Sequence, residues 1–158
     1  PICIDTPNPK ALEAALKFYC KDGAKPLVNS VTAEAESLKN ILPMIKEYGA
    51  AVIGLCSSDS GIPETAEDRL RNTDLIMEAA AKMGIPAEDI VIDCLVLTLG
   101  AKWEAGKIAL DAISMIVEKY GVNSFKHFTI VNRVQSFINQ TTHFNYLNSR
   151  FSDKIIRC

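Results

Sequence analysis

No stretch of this chain approaches the roughly 20 apolar residues that a membrane-spanning helix requires, so no membrane insertion is expected. There is no basic stripe either. Lys and Arg number 17 against 19 Asp and Glu, a net charge of −2, which argues against a nucleic-acid partner. Neither G-x-G-x-x-G nor G-x-x-x-x-G-K-[ST] occurs, which leaves dinucleotide and P-loop chemistry without a motif. The five cysteines, Cys3, Cys20, Cys56, Cys94 and Cys158, are scattered with no C-x-x-C pair, so no metal site is expected. They suit a reducing cytoplasmic setting better than a secreted disulfide scaffold. The opening residues already read as a strand, so no signal peptide is expected. Histidine is confined to His127 and His143. At 158 residues the chain suffices for one core, but falls short of the roughly 250 residues of a closed eight-unit barrel.

What the chain does have is one repeated design. A short apolar run ends in a polar residue, and an amphipathic helix follows. Ile2-Cys3-Ile4-Asp5-Thr6, Pro26-Leu27-Val28-Asn29-Ser30, Ala51-Val52-Ile53-Gly54-Leu55-Cys56 and Ile90-Val91-Ile92-Asp93 are the runs. Unbroken apolar runs alternating with helices predict parallel strands in an α/β sheet. Asn8 as N-cap and Pro9 at the first position open the first helix, with Leu12, Ala15, Leu16 and Tyr19 as its apolar stripe. The second helix is expected over residues 33–48, with Leu38, Ile41, Leu42 and Ile45 inward, Pro43 as an internal irregularity and Gly49 as its stop. Thr65 caps the third, with Asp68 completing a near capping box and Leu70, Leu75, Ile76, Ala79 and Ala80 as core residues. A fourth helix is expected over residues 103–120. Residues 125–158 contain no glycine, alanine or proline, and only 128–131 and 134–138 suggest further elements.

In parallel α/β folds the site lies at the carboxyl ends of the strands. Asp5, Asn29 and Asp93 all fall there. Two carboxylates and an amide on one rim suit a flat, nitrogen-rich ring. Each residue also has a plainer reading. Asp5 and Asn29 are suited to capping the helices that follow. Asp93, flanked by apolar residues, needs a partner, either a ligand with adjacent N–H donors or a backbone amide. Cys56 has no histidine near it in sequence and reads as a packing residue rather than a nucleophile. Asp59, Glu64, Glu67, Asp68 and Arg69 read as a solvated loop and helix start. Trp103 suits either a lid or the cover of a helix start.

Ile4-Asp5-Thr6, Val28-Asn29-Ser30 and Ile92-Asp93 resemble the strand ends of the pterin-binding barrels. That family includes dihydropteroate synthase and the methyltetrahydrofolate methyltransferases that methylate a corrinoid. The run from Leu42 to Leu55, Gly61-Ile62-Pro63 with Asp68-Arg69, and Gly84-Ile85-Pro86 leading to Leu97 are similar to the methyltransferase branch and to the folate module of cobalamin-dependent methionine synthase. The resemblance covers residues 1–123. It implies parallel (β/α) units of a TIM-barrel type, forming a partial barrel, with residues 124–158 as an atypical tail. It implies that Asp5, Asn29 and Asp93 hold the pterin of methyltetrahydrofolate. The methyl acceptor would be cobalt(I) cobalamin or another corrinoid on a partner protein, and a homodimer is compatible with the pattern. The chain departs from the pattern twice. Cys94 stands where the family usually has proline, and the segment with an asparagine near the pterin N5 has no match after Asn123. No catalytic residue is therefore assigned. A dihydropteroate synthase-like enzyme is the alternative; it needs an anion site, for which Lys102 is the basic residue on the rim. A non-catalytic barrel fragment is the other.

Overall fold

The structure is a computed structural model that describes residues 2–21, 23–95 and 104–120. The elements expected at 128–131 and 134–138 lie outside the described residues, as do Lys102, Trp103, His127 and His143. Strands β1 (Cys3–Asp5), β2 (Leu27–Thr32), β3 (Ala51–Leu55) and β4 (Ile90–Asp93) alternate with helices α1 (Pro9–Tyr19), α2 (Ala35–Tyr48), α3 (Ala66–Lys82) and α4 (Glu104–Tyr120). A short 3-10 turn (Ala87–Asp89) leads into β4. The strands form one parallel sheet in the order β1-β2-β3-β4.

That sequential order has a consequence for the helices. Each right-handed crossover sets its helix on the same side, so the helices share one face of the sheet. Burial agrees with this. Ile4, Val28, Val52, Ile90 and Ile92 share a core with Leu12 and Leu16 of α1, Leu42 and Ile45 of α2, Ile76 and Ala80 of α3, and Ile116 of α4. Side chains alternate along a strand, so Asp5, Asn29, Ile53 and Val91 belong to the opposite face.

The helix ends follow local chemistry. Asn8 Oδ1 accepts from the amides of Lys10 and Ala11, and Pro9 opens α1. Thr65 Oγ1 accepts from the Asp68 amide at 3.1 Å and donates to Asp68 Oδ2 at 2.7 Å. Gly49 closes α2 at φ 62°, where its N–H reaches the Ile45 carbonyl. Pro43 sits inside α2 on its exposed side, so the carbonyl left without a helical partner meets water. Helix α2 starts at Ala35 rather than Ala33. The Ala33 N–H is engaged by the Ser57 carbonyl at 2.9 Å, which ties the loop after β2 to the loop after β3.

Two residues expected in the core are exposed. Tyr19 is 45% exposed and meets Phe18 edge-on, and Leu75 is 47% exposed. The inner face of α3 runs through Arg69, Asn72, Thr73, Ile76, Met77 and Ala80, and Leu75 lies one position off that line. Gly54 of β3 explains the tight seat of Ile76: a Cβ there would stand 3.2 Å from Ile76 Cγ2 and 3.0 Å from Ile92 Cδ1. Cys56 and Cys94 are fully buried side by side where β3 and β4 end. The Cys56 N–H donates to the Asp93 carbonyl at 3.0 Å, and Cys56 Sγ lies 3.2 Å from Thr73 Oγ1. Contact with Cys56, together with burial, pushes the Cys94 thiol up. Cys56 is a core residue, as expected.

Two measurements check this packing. Ile76→Ala is expected to lower stability by about 2–5 kcal/mol, whereas Leu75→Ala stays within about 0.5 kcal/mol, read from urea midpoints. Thiol labelling followed by peptide mass spectrometry should modify Cys3 and Cys20, which are partly exposed, well before Cys56 and Cys94. Equal rates at all four would refute the buried pair.

Candidate functional site

The helix-free face of the sheet carries the polar strand ends. Asp5 pairs in register with Asn29, and the Thr6 N–H donates to the Asn29 carbonyl at 3.3 Å. Their side chains therefore stand side by side, roughly one strand spacing of about 4.8 Å apart. Asn29 in turn pairs with Ile53 and Ile53 with Val91. Asp93 is two residues beyond Val91, so it shares that face but sits farther along and two strands from Asn29. The structure thus brings Asp5 and Asn29 together and places Asp93 across the same face. Ser30 is the extra residue of a bulge between β2 and β3, which shifts the register between Asn29 and Val31. Bulges of this kind re-aim side chains beside a site. The peptide between Asn29 and Ser30 is cis.

The plainer readings now separate. Asp5 does not cap α1, because Asn8 does. Asn29 does not cap α2 either; Glu34 occupies that position without a side-chain bond, and Ser37 Oγ accepts from the Thr32 N–H. Neither the Asp5 carboxylate nor the Asn29 amide has a hydrogen-bond partner among the described residues. Asp93 differs. Its Oδ1 accepts from the Leu95 N–H at 2.8 Å. The backbone-amide reading of Asp93 is thus realised in part, and a carboxylate has about four acceptor sites, so one such bond does not exhaust it.

The residue missed from the sequence is Arg69. It was expected in a solvated cluster, yet it is 1% exposed. Its Nη1 donates to the carbonyls of Cys94 at 2.8 Å and Leu95 at 2.7 Å, and its Nε to Pro63 at 3.2 Å. Burial pulls the guanidinium down from its ordinary range, while Cys94, Cys56 and Asp93 hold it up. Beside it, Asn72 Nδ2 donates to the Cys56 carbonyl at 3.2 Å. The first half of α3 thus presents polar groups to the ends of β3 and β4. A signal was available. Arg69, Asn72, Thr73, Ile76, Met77 and Ala80 form one helical stripe, polar first and apolar after.

Leu95 is held from both ends. Asp93 takes its N–H and Arg69 its carbonyl, and it adopts φ 55°. A non-glycine residue in that region costs about 1–2 kcal/mol, which those bonds offset. The surface groove lined by Pro7, Pro9, Lys10, Glu13, Asn40 and Met44 lies against the helix layer and contains none of the three strand-end residues. Among the described residues no group of His, Cys, Asp and Glu is placed to hold a metal ion, and no helix is long and apolar enough to cross a membrane.

Comparison with known proteins places the chain in a family. Residues 1–150 match the family described as pterin binding enzyme, a match that runs beyond residue 123 into the segment of different composition. The chain is 31% identical over 104 residues to methylcorrinoid:tetrahydrofolate methyltransferase of Eubacterium limosum, covering 65% of this chain and 37% of that protein. It is 27% identical over 125 residues to methionine synthase of Mycobacterium leprae (strain TN), covering 75% of this chain and 10% of that protein. The chain therefore spans well under half the length of either relative. Its parallel four-stranded sheet is a set of (β/α) units of the TIM-barrel type, an open part of such a barrel. With residues 1–150 of the 158 matched, the chain belongs to the pterin binding enzyme family.

Proposed function

We propose that this chain binds the pterin of methyltetrahydrofolate through Asp5, Asn29 and Asp93, in the service of methyl transfer from N5 to a corrinoid. The observation that carries this reading is the pair Asp5 and Asn29. They stand in register on the helix-free face with no hydrogen-bond partner among the described residues. A carboxylate only accepts, whereas an amide both donates and accepts. The pyrimidine edge of a pterin offers ring N–H and amino donors beside carbonyl and ring-nitrogen acceptors. Asp5 and Asp93 meet the donors, and Asn29 meets a mixed position. The relative whose name joins tetrahydrofolate and a corrinoid to methyl transfer favours a folate over other pterins.

The chain's contribution is orientation. Holding a ring by one polar edge fixes where its N5 points, and correct placement of reacting groups is worth several powers of ten in rate. N5 is a poor leaving group until it gains a proton or a strong hydrogen bond, a general-acid role of about 10²–10⁴-fold. No described residue is assigned that role. A cobalt(I) corrinoid on a partner protein would supply the nucleophile for the methyl group, with the N5 electron pair left on the pterin taking up a proton.

Calorimetry with methyltetrahydrofolate and with a pterin pyrophosphate tests the reading. The first should bind more tightly, and Asp93→Asn should weaken it by about 1–3 kcal/mol, the cost of a mismatched hydrogen bond in a shielded site. The opposite preference would favour dihydropteroate synthase-like chemistry. A folded chain that binds neither would be a non-catalytic barrel fragment.

A further inference from the structure

Arg69 is a buried cation whose hydrogen bonds run to backbone carbonyls. It grips the two successive carbonyls that follow Asp93, and a third at Pro63 in the loop after β3. The Asp93 carboxylate closes the same turn from the other side, through the Leu95 N–H. Leu95 sits between them in the left-handed region, a conformation that a branched side chain does not choose unaided. The orientation of Asp93 and the shape of this turn are thus one structural unit, and Arg69 is the part of it anchored in the helix layer.

We propose that Arg69 is a positioning residue for Asp93, acting through the backbone of Cys94 and Leu95 to aim the carboxylate onto the helix-free face. The proposal rests on the pterin reading for what Asp93 binds. It does not rest on that reading for the mechanical link between Arg69 and Asp93. The guanidinium suits the task because one nitrogen reaches two carbonyls while the rest of the planar group reaches a third. Lysine has a single compact head and does not reproduce that fork. The arrangement also explains a polar first half on the inner face of α3, where a helix serving only as packing would be apolar.

The test uses the whole chain and two independent readouts. The first is amide hydrogen exchange at Leu95, which needs no ligand. Arg69→Met should raise exchange at Leu95 by at least about tenfold relative to β2 amides, because the turn loses its anchor. Adding Leu95→Gly, which removes the cost of the left-handed conformation, should restore much of the protection. The second readout is methyltetrahydrofolate affinity. Arg69→Met should weaken it about tenfold or more, Leu95→Gly should recover most of that loss, and in an Asp93→Asn background Arg69→Met should add less than about threefold. A structural role alone would give additive losses and no rescue by glycine. If Arg69→Met does not fold, Arg69→Lys serves, with at least about threefold changes in both readouts expected. Unchanged exchange at Leu95 in a folded Arg69 variant would overturn the proposal. Altered exchange with glycine rescue, but no folate binding by the wild-type chain, would uphold the link and refute the pterin reading instead.

Discussion

A buried guanidinium sets the terms for one end of this sheet. Arg69 cannot shed its proton in a protein interior, so the chain must surround it with acceptors. It does so with three carbonyls from two loops that follow adjacent strands. Two of those carbonyls, at Cys94 and Leu95, directly follow β4, where the β ladder stops. One residue therefore satisfies what the sheet leaves unsatisfied, and its need for acceptors fixes where α3 can dock. Asn72 repeats the logic one turn later on the Cys56 carbonyl, and the Thr73 hydroxyl lies against the Cys56 thiol. From Ile76 onward the buried residues of the helix, Ile76, Met77 and Ala80, are apolar. Register along α3 is thus set by directional bonds at its start and by shape after that.

The two faces of the sheet divide the labour. Sequential strand order with one-handed crossovers gathers the helices on one side, and that side holds the hydrophobic core. The other side is left for chemistry. Its residues mix apolar Leu27 and Ile53, both buried, with Asp5, Asn29 and Asp93 at the carboxyl ends. A doubly wound sheet would have covered both faces and confined a site to a crevice at the point of strand-order reversal. Here the whole rim is on one side, so residues on separate strands, each set by its own β-run, can address one ligand.

Most of the fold was legible because its signals are local. Asn8 with Pro9, Thr65 with Asp68, and Gly49 each do what their chemistry dictates within a few residues. The strand Ile90–Asp93 is an apolar run with a polar end, and the structure reproduces it residue for residue. What was not legible depends on distant partners. Arg69 reads as surface charge until the carbonyls of Cys94 and Leu95 are seen beside it, some 25 residues away in sequence. Leu75 reads as core until the polar residues of α3 are known to face inward and turn it out. The bulge at Ser30 exists only in the pairing of β2 with β3. Of the candidate site, the places of Asp5, Asn29 and Asp93 at the ends of the runs were readable, whereas the contacts behind Asp93 were not.

That support also bears on the substitution at position 94. The resembled pattern carries proline after the second aspartate, and this chain carries cysteine. A proline lacks an N–H but keeps its carbonyl. At positions 94 and 95 Arg69 uses the carbonyls, and Asp93 uses the N–H of Leu95. The clamp is therefore indifferent to the exchange. What changes is the side chain behind it, where the Cys94 sulfur turns into the core beside Cys56 and fills space on the helix side of the sheet. The departure from the family pattern falls on the packing side of the backbone, and the face that carries Asp93 keeps its geometry.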